Sequence, residues 1–432
     1  MSYFDFKHMK NYTFLKKYLL TAVLFSLTLQ ISALNLLIPM DEVQKNHLKA
    51  YGIAYWALRL DNEVKWLLNY RGGSFLMQHS RAIENECVVR GVSFETIADA
   101  QAASILNDIA RPEVNQDAVS MNKAPEIAVY SPPSKLPWDD AVTLVLTYAE
   151  IEYDIIYDEE ILSGKLPEYD WLHLHHEDFT GQFGKFWRTY QHMPWYQQDV
   201  NINKQLAEKL GFMKVSEMKS FVTAEIEKYV INGGFLFAMC AATDTYDIAR
   251  AATGVDICAT MFDGDPADPQ ADEKLDFSKT FAFENFQLEK DPNVYEFSDI
   301  DATNTRQVDR ENDYFVLFEF SAKWDPIPTM LCQNHMNMIK GFMGQTTAFR
   351  KEVIKPNVLI LGENKPAREA RYIHGEKGKG FWTFYGGHDP EDYRHLVGDP
   401  PTDLSLYPNS PGYRLILNNV LFPAAKKKKR KT

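Results

Sequence analysis

The pattern of apolar and polar positions changes character twice along the chain. From about 34 to 120, short apolar runs are broken by turns. Residues 50–59 and 64–69 read as strands, with Asp61 and Asn62 at the turn between them and Gly72-Gly73 at a second turn before 74–77. Ile97, Ala98, Ile105 and Ile109 recur at helical spacing, which predicts a helix over 94–109 with Ser93 as its cap. Residues 111–125 are polar and read as a linker.

From Glu126 the pattern becomes strand, helix, strand. Apolar runs at 127–130, 153–157, 169–173 and 235–239 alternate with helical stretches at 139–149, 203–231 and 243–252, and further strands fall at 358–361, 370–373 and 380–384. Such alternation implies parallel pairing. The expected fold is α/β: a flavodoxin-like, doubly wound parallel sheet over 124–425, preceded by a small α+β domain at 34–120. Between about 256 and 325 an acidic, turn-rich loop interrupts the rhythm and marks an insertion, with strands expected at 277–286 and 294–297.

The two ends carry different signals. Lys16 and Lys17 precede an apolar run that closes on Ala33, the layout of a signal peptide over 1–33. This predicts export to the periplasm or the medium, and no membrane span once the peptide is removed. Residues 426–432 form a basic tail, read as solvated. A net charge of −13 argues against nucleic acid as a partner of the body. Four scattered cysteines exclude a disulfide scaffold, leaving at most a bridge such as Cys258 to Cys332.

Three strand ends carry the candidate chemistry. Cys240 follows an apolar strand and precedes a helix, where a nucleophile elbow sits; Ala238 and Ala242 supply the small neighbours, and packing is the competing reading. His388 follows Gly386-Gly387, a candidate base that Asp389 or Glu391 would orient; the same acids with Pro390 also read as a helix cap. His173 and His175 would share one strand face and His176 the other. His175 and His176 with the distant His335 would suit one divalent metal ion, against the alternative of a surface histidine cluster. The aspartates at 263, 265, 268 and 272 lack calcium-loop spacing, and no phosphate-binding glycine loop occurs.

On the Cys240 elbow and the run from Gly378 through Gly387-His388-Asp389-Pro390-Glu391, the stretch 126–423 resembles the class I glutamine amidotransferase-like family, and its ThuA-like branch in particular. With Ala54-Tyr55-Trp56 and the run 68–74, the whole chain resembles exported bacterial proteins named asparagine synthetase B. The resemblance implies Cys240 as nucleophile, His388 as base and Glu391 or Asp389 as orienter, in a hydrolytic enzyme acting on an amide or sugar-related substrate. ATP-dependent amide synthesis is not expected, because the chain has Ser2 where that chemistry needs a cysteine and lacks the pyrophosphate loop. The second expectation is a binding or assembly protein, whose 13% aromatic content would meet a small molecule, a carbohydrate or a protein partner.

Overall fold

A computed structural model describes residues 34–134, 136–331 and 336–425. The expected signal peptide, the basic tail, Cys332 and His335 lie outside the described residues.

Two sheets organise the chain. The first contains β1 (Leu34–Ile38), β2 (Val64–Leu68), β3 (Ser74–Gln78), β4 (Glu95–Ala98) and β5 (Asp117–Met121). Their order is β4-β1-β3-β2-β5, with every pairing antiparallel. Three expectations are corrected here. Residues 50–59 lie in a helix, His47–Arg59, which Asn46 caps by accepting the Lys49 N–H at 2.9 Å. That helix is apolar nearly all round because it is buried between the small sheet and the rest of the chain, so its sequence lacks the polar face that marks a surface helix. The expected helix over 94–109 splits into β4 and a helix from Asp99 to Ala110, and the supposed linker contains β5.

The second sheet has ten strands. They are β6 (Ile127–Tyr130), β7 (Asp154–Ile156), β8 (Trp171–Leu174), β9 (Phe235–Met239), β10 (Tyr314–Leu317), β11 (Met338–Lys340), β12 (Phe349–Arg350), β13 (Leu359–Asn364), β14 (Glu369–Lys377) and β15 (Gly380–Tyr385). The path runs β11-β10-β13-β14-β15-β9-β8-β6-β7, with β12 against β14. From β15 to β7 every pairing is parallel; from β15 back to β11 every pairing is antiparallel. The expectation of a flavodoxin-like doubly wound sheet is therefore corrected to a large mixed sheet. Its antiparallel half comes from the end of the interruption (β10) and the residues that follow it, where neighbouring strands pair antiparallel without helical crossovers. The strands expected at 277–286 and 294–297 are absent: that stretch holds a short turn of helix at Phe277–Lys279 and isolated bridges.

The parallel half explains its own burial. All five residues of β9 are buried, as a strand covered on both faces requires. Phe235, Phe237 and Met239 pack with Val142, Val145 and Leu415 from the helices Ala141–Ala149 and Pro411–Leu421. Leu236, Ala238 and Cys240 face the other way, with Val222, Ile226 and Ile248 from Val215–Asn232 and Ala242–Ala251. Period-two alternation thus feeds two core layers from one strand. Strand order reverses at β6, with β7 on one side and β8 on the other, and loops at the carboxyl ends of such strands are where open sheets build sites.

Candidate functional site

The carboxyl ends of β8, β9 and β15 deliver His175, Cys240 and His388 to one point. One ligand atom from each lies within 4.8 Å of the others, and all three residues are buried. Cys240 occupies the sharp turn between β9 and the helix Ala242–Ala251 with φ +50°, a left-handed conformation that costs a non-glycine residue about 1–3 kcal/mol and persists only where neighbours enforce it. Those neighbours are explicit: the Ala242 N–H donates to the His175 carbonyl at 2.9 Å, and the Gln345 N–H donates to Cys240 Sγ at 3.4 Å. At the β15 end, Gly387 takes φ +103°, where a Cβ would strike the Phe342 ring at 2.5 Å.

The helix cap Asp140 fixes two of the imidazoles. Its Oδ1 accepts the N–H groups of Val142 and Thr143 at 2.7 and 3.0 Å. Oδ2 lies 3.1 Å from His173 Nε2, and Oδ1 lies 3.1 Å from His175 Nδ1, close enough for an ion pair but not aligned as a hydrogen bond. Burial opposes ionisation of Asp140, but the two histidines and the hydrogen bonds outweigh it and hold its carboxyl well below the usual range. The second nitrogen of His175, Nε2, is buried with no hydrogen-bond partner, and so is His388 Nε2. Burial, ahead of the neighbouring imidazoles, holds His388 neutral well below its ordinary pKa and takes His176 down to about 3. Neutral imidazoles are the form that binds metal; at His175 burial is outweighed by Asp140, which raises the pKa, so binding there would displace a proton.

Placement of the other candidates is mixed. β8 ends at Leu174, so strand alternation does not extend to the next residues, and His175 and His176 sit with ring centroids 5.1 Å apart. His176 lines the cleft above Cys240 and meets the edge of Trp138. Asp389 accepts the Glu391 N–H at 2.8 Å and the Asp392 N–H at 3.3 Å, closing a turn where the sequence suggested a helix cap, and burial raises the pKa of Glu391 against a hydrogen bond from Ser410. Neither acid is hydrogen-bonded to the His388 ring. His395, which no local sequence pattern marks, stacks on His388 at 4.7 Å and 15°, between Asp139 and Asp392. Asp139 and Asp140 are legible in the sequence only as a helix entry. In the acidic loop, the Lys214 ammonium fills the space between Asp256, Asp263 and Asp265 at 2.5, 3.0 and 2.6 Å. Cys258 is a free buried thiol whose Sγ donates to the Thr180 carbonyl at 3.3 Å.

The site opens on a cleft of about 420 Å³, within the range of small-molecule pockets. Trp138, Phe186, Tyr190 and Tyr295 form its apolar wall and Arg394 lines it, while the Lys185 ammonium and the Gln345 amide donate to backbone carbonyls. Several groups of His, Cys and Asp could coordinate a metal ion, an arrangement consistent with enzymatic activity. No helix among the described residues is long and apolar enough to cross a membrane.

Comparison with known proteins yields no family model and no curated protein that matches the chain. Solved structures give loose likenesses. A cytoplasmic protein of Salmonella typhimurium aligns at 10% identity and TM-score 0.34, covering 70% of this chain and 100% of that one. An exo-beta-1,4-mannosidase of Opitutaceae bacterium strain TAV5 aligns at 12% identity and TM-score 0.30, covering 71% and 37%. A GH42 beta-galactosidase of G. stearothermophilus aligns at 12% identity and TM-score 0.27, covering 62% and 28%. At these scores none carries an argument about what this chain does.

The resemblance to class I amidotransferase-like, ThuA-like and asparagine synthetase B proteins is corrected accordingly: no family model and no curated protein matches the chain in support of it. The amidotransferase-like function falls with it, on physical grounds as well. Burial pushes the Cys240 thiol up to about 11, and no hydrogen bond joins it to His388, so the pair is not a ready nucleophile and base. The expectation of an exported protein is likewise withdrawn: its carrier, residues 1–33, lies outside the described residues, and no family or curated match supports it.

Proposed function

We propose that the protein is a divalent-metal-dependent enzyme whose ion is held by His175, Cys240 and His388 and whose substrate is a small polar molecule. The observation that carries this reading is the pair of buried, unpartnered Nε2 atoms on His175 and His388, converging with the Cys240 sulfur. Leaving buried polar atoms without partners costs about 1–3 kcal/mol each, a cost that a bound cation would offset. Two imidazoles and a thiolate are a zinc-class donor set that leaves a coordination position open. The Asp140 carboxylate at His175 Nδ1 supplies the outer contact that orients a metal-binding histidine.

Such an ion would supply Lewis acidity toward water or a substrate oxygen. The chain's own residues set the rest. Gln345 ties the loops together, donating from Nε2 to the Gly184 and Tyr295 carbonyls at 3.0 and 2.9 Å. Asp389 and Glu391 hold the turn that presents His388. The aromatic wall offers flat apolar faces, suited to a sugar ring, and the Arg394 guanidinium in the same lining would orient hydroxyl or carbonyl groups.

Reconstitution with Co(II) should give a thiolate-to-metal charge-transfer band that Cys240→Ser and His175→Ala each abolish. A wild-type protein without the band would end the metal reading. The enzymatic part is tested by turnover of nitrophenyl esters, phosphates and glycosides that chelator removes and zinc restores. A metal-loaded protein inert toward the whole panel would count against it.

A further inference from the structure

We propose that the centre is binuclear, with a second divalent ion held by Asp139, His388 and His395, and with the His388 ring shared between the two ions. This rests on the reading of the first ion at His175, Cys240 and His388 and extends it.

Two groups of ligand atoms meet at His388. One is the inner trio; the other is Asp139, His388 and His395, whose atoms also lie within 4.8 Å of one another. An imidazole carries a nitrogen on each of two edges, and once its single N–H proton is released to solvent the imidazolate can ligate both ions. His388 and His395 both line the cleft, and their rings stack at 4.7 Å, which leaves both edges open to a ligand.

The outer group repeats the construction of the inner one. His175 has its Nδ1 against Asp140, and its Nε2 has no hydrogen-bond partner. His395 has its Nδ1 against Asp392 Oδ2 at 3.0 Å, and its Nε2 has none either. A carboxylate on Nδ1 is what fixes an imidazole for coordination through the opposite nitrogen. Asp139 completes the case. Both its carboxylate oxygens are buried and lack a hydrogen-bond partner. Oδ1 lies 3.0 Å from His395 Nε2, yet the two are not aligned as a hydrogen bond. The Asp139 and Asp392 carboxylates raise the pKa of His395 to about 9, so a cation bound between Asp139 and His395 would displace the ring proton. Charge agrees: the outer group brings one carboxylate and the inner one, once Cys240 gives up its proton to solvent, a thiolate, so two dications would be partly neutralised where Asp140 and Asp392 add further negative charge.

Two ions bridged by one ring would let one ion act on the reacting atom while the other holds a polar group of the substrate.

The test is metal stoichiometry on the full-length protein, titrated with Co(II) while the thiolate band is followed. Wild type should bind two ions per chain. His395→Ala and the near-isosteric Asp139→Asn should each bind one, with the thiolate band intact, and wild type alone should show magnetic coupling between its ions by EPR. One ion in the wild type with the band present would overturn the binuclear proposal and leave the mononuclear reading standing. Two ions that neither variant reduces would place the second ion elsewhere and overturn it equally. No band and no ion would instead defeat the reading on which it rests.

Discussion

Two buried polar clusters lie on the parallel half of the large sheet, and they are finished differently. In one, the Lys219 ammonium gives its three protons to Tyr130, Tyr157 and Asp158 at 2.8, 3.1 and 2.7 Å, and Tyr157 passes its own proton to Asn203 at 2.9 Å. Burial works against the charge on Lys219, but Asp158 outweighs it and raises the pKa. Every donor there is spent. In the other, around His175 and His388, the backbone is just as tightly held, yet ring nitrogens and a carboxylate end without hydrogen-bond partners. Satisfied buried polar groups stabilise a fold; convergent unsatisfied ones mark a place where a ligand completes the bonding.

That contrast can be broken from either side. The largest effect is expected from Lys219→Met, which strands a buried Asp158 and should cost about 3–5 kcal/mol in urea unfolding while leaving metal uptake unchanged. Loss of metal binding in the folded variant would show that the two clusters are not independent. Next, zinc at about 100 times its dissociation constant should raise the stability of the wild type by about 2.7 kcal/mol, and that of Cys240→Ser far less. Equal stabilisation of both would remove Cys240 from the ligand set. Asp140→Asn is sharper, because asparagine caps helices as well as aspartate does and the fold should hold. Zinc affinity in a competition titration should nevertheless fall about 10–100-fold, the usual loss when an outer carboxylate is removed; unchanged affinity would reduce Asp140 to a cap. The smallest effect, about 1 kcal/mol, is expected from Asn46→Ala at the start of the buried helix His47–Arg59, with no change in metal binding.

The sequence makes legible the features whose signals are local. Cys240 and His388 stand at the ends of apolar strands, beside a helix start and a Gly-Gly turn, and those signals lie within a few residues of the side chains they position. His175 is legible for the same reason. Asp139, Asp140 and His395 are not, because their meaning depends on β6 and β8 being neighbours in the sheet and on a loop after β15 folding back over the site. The antiparallel half of the sheet escapes sequence reading because hairpins and crossovers present similar apolar runs, and periodicity reads a strand without reading its direction. The helix His47–Arg59 reads as a strand because burial on all sides erased the polar face that would have given its period away.

The central claim is that His175, Cys240 and His388 close on a metal ion. Diffraction from zinc-soaked crystals, measured on both sides of the zinc absorption edge, tests it directly. The account predicts an anomalous peak at about 2.3 Å from Cys240 Sγ and about 2.0–2.1 Å from an imidazole nitrogen each of His175 and His388. An anomalous map without a peak there, from crystals in which zinc has bound at other sites, would contradict it.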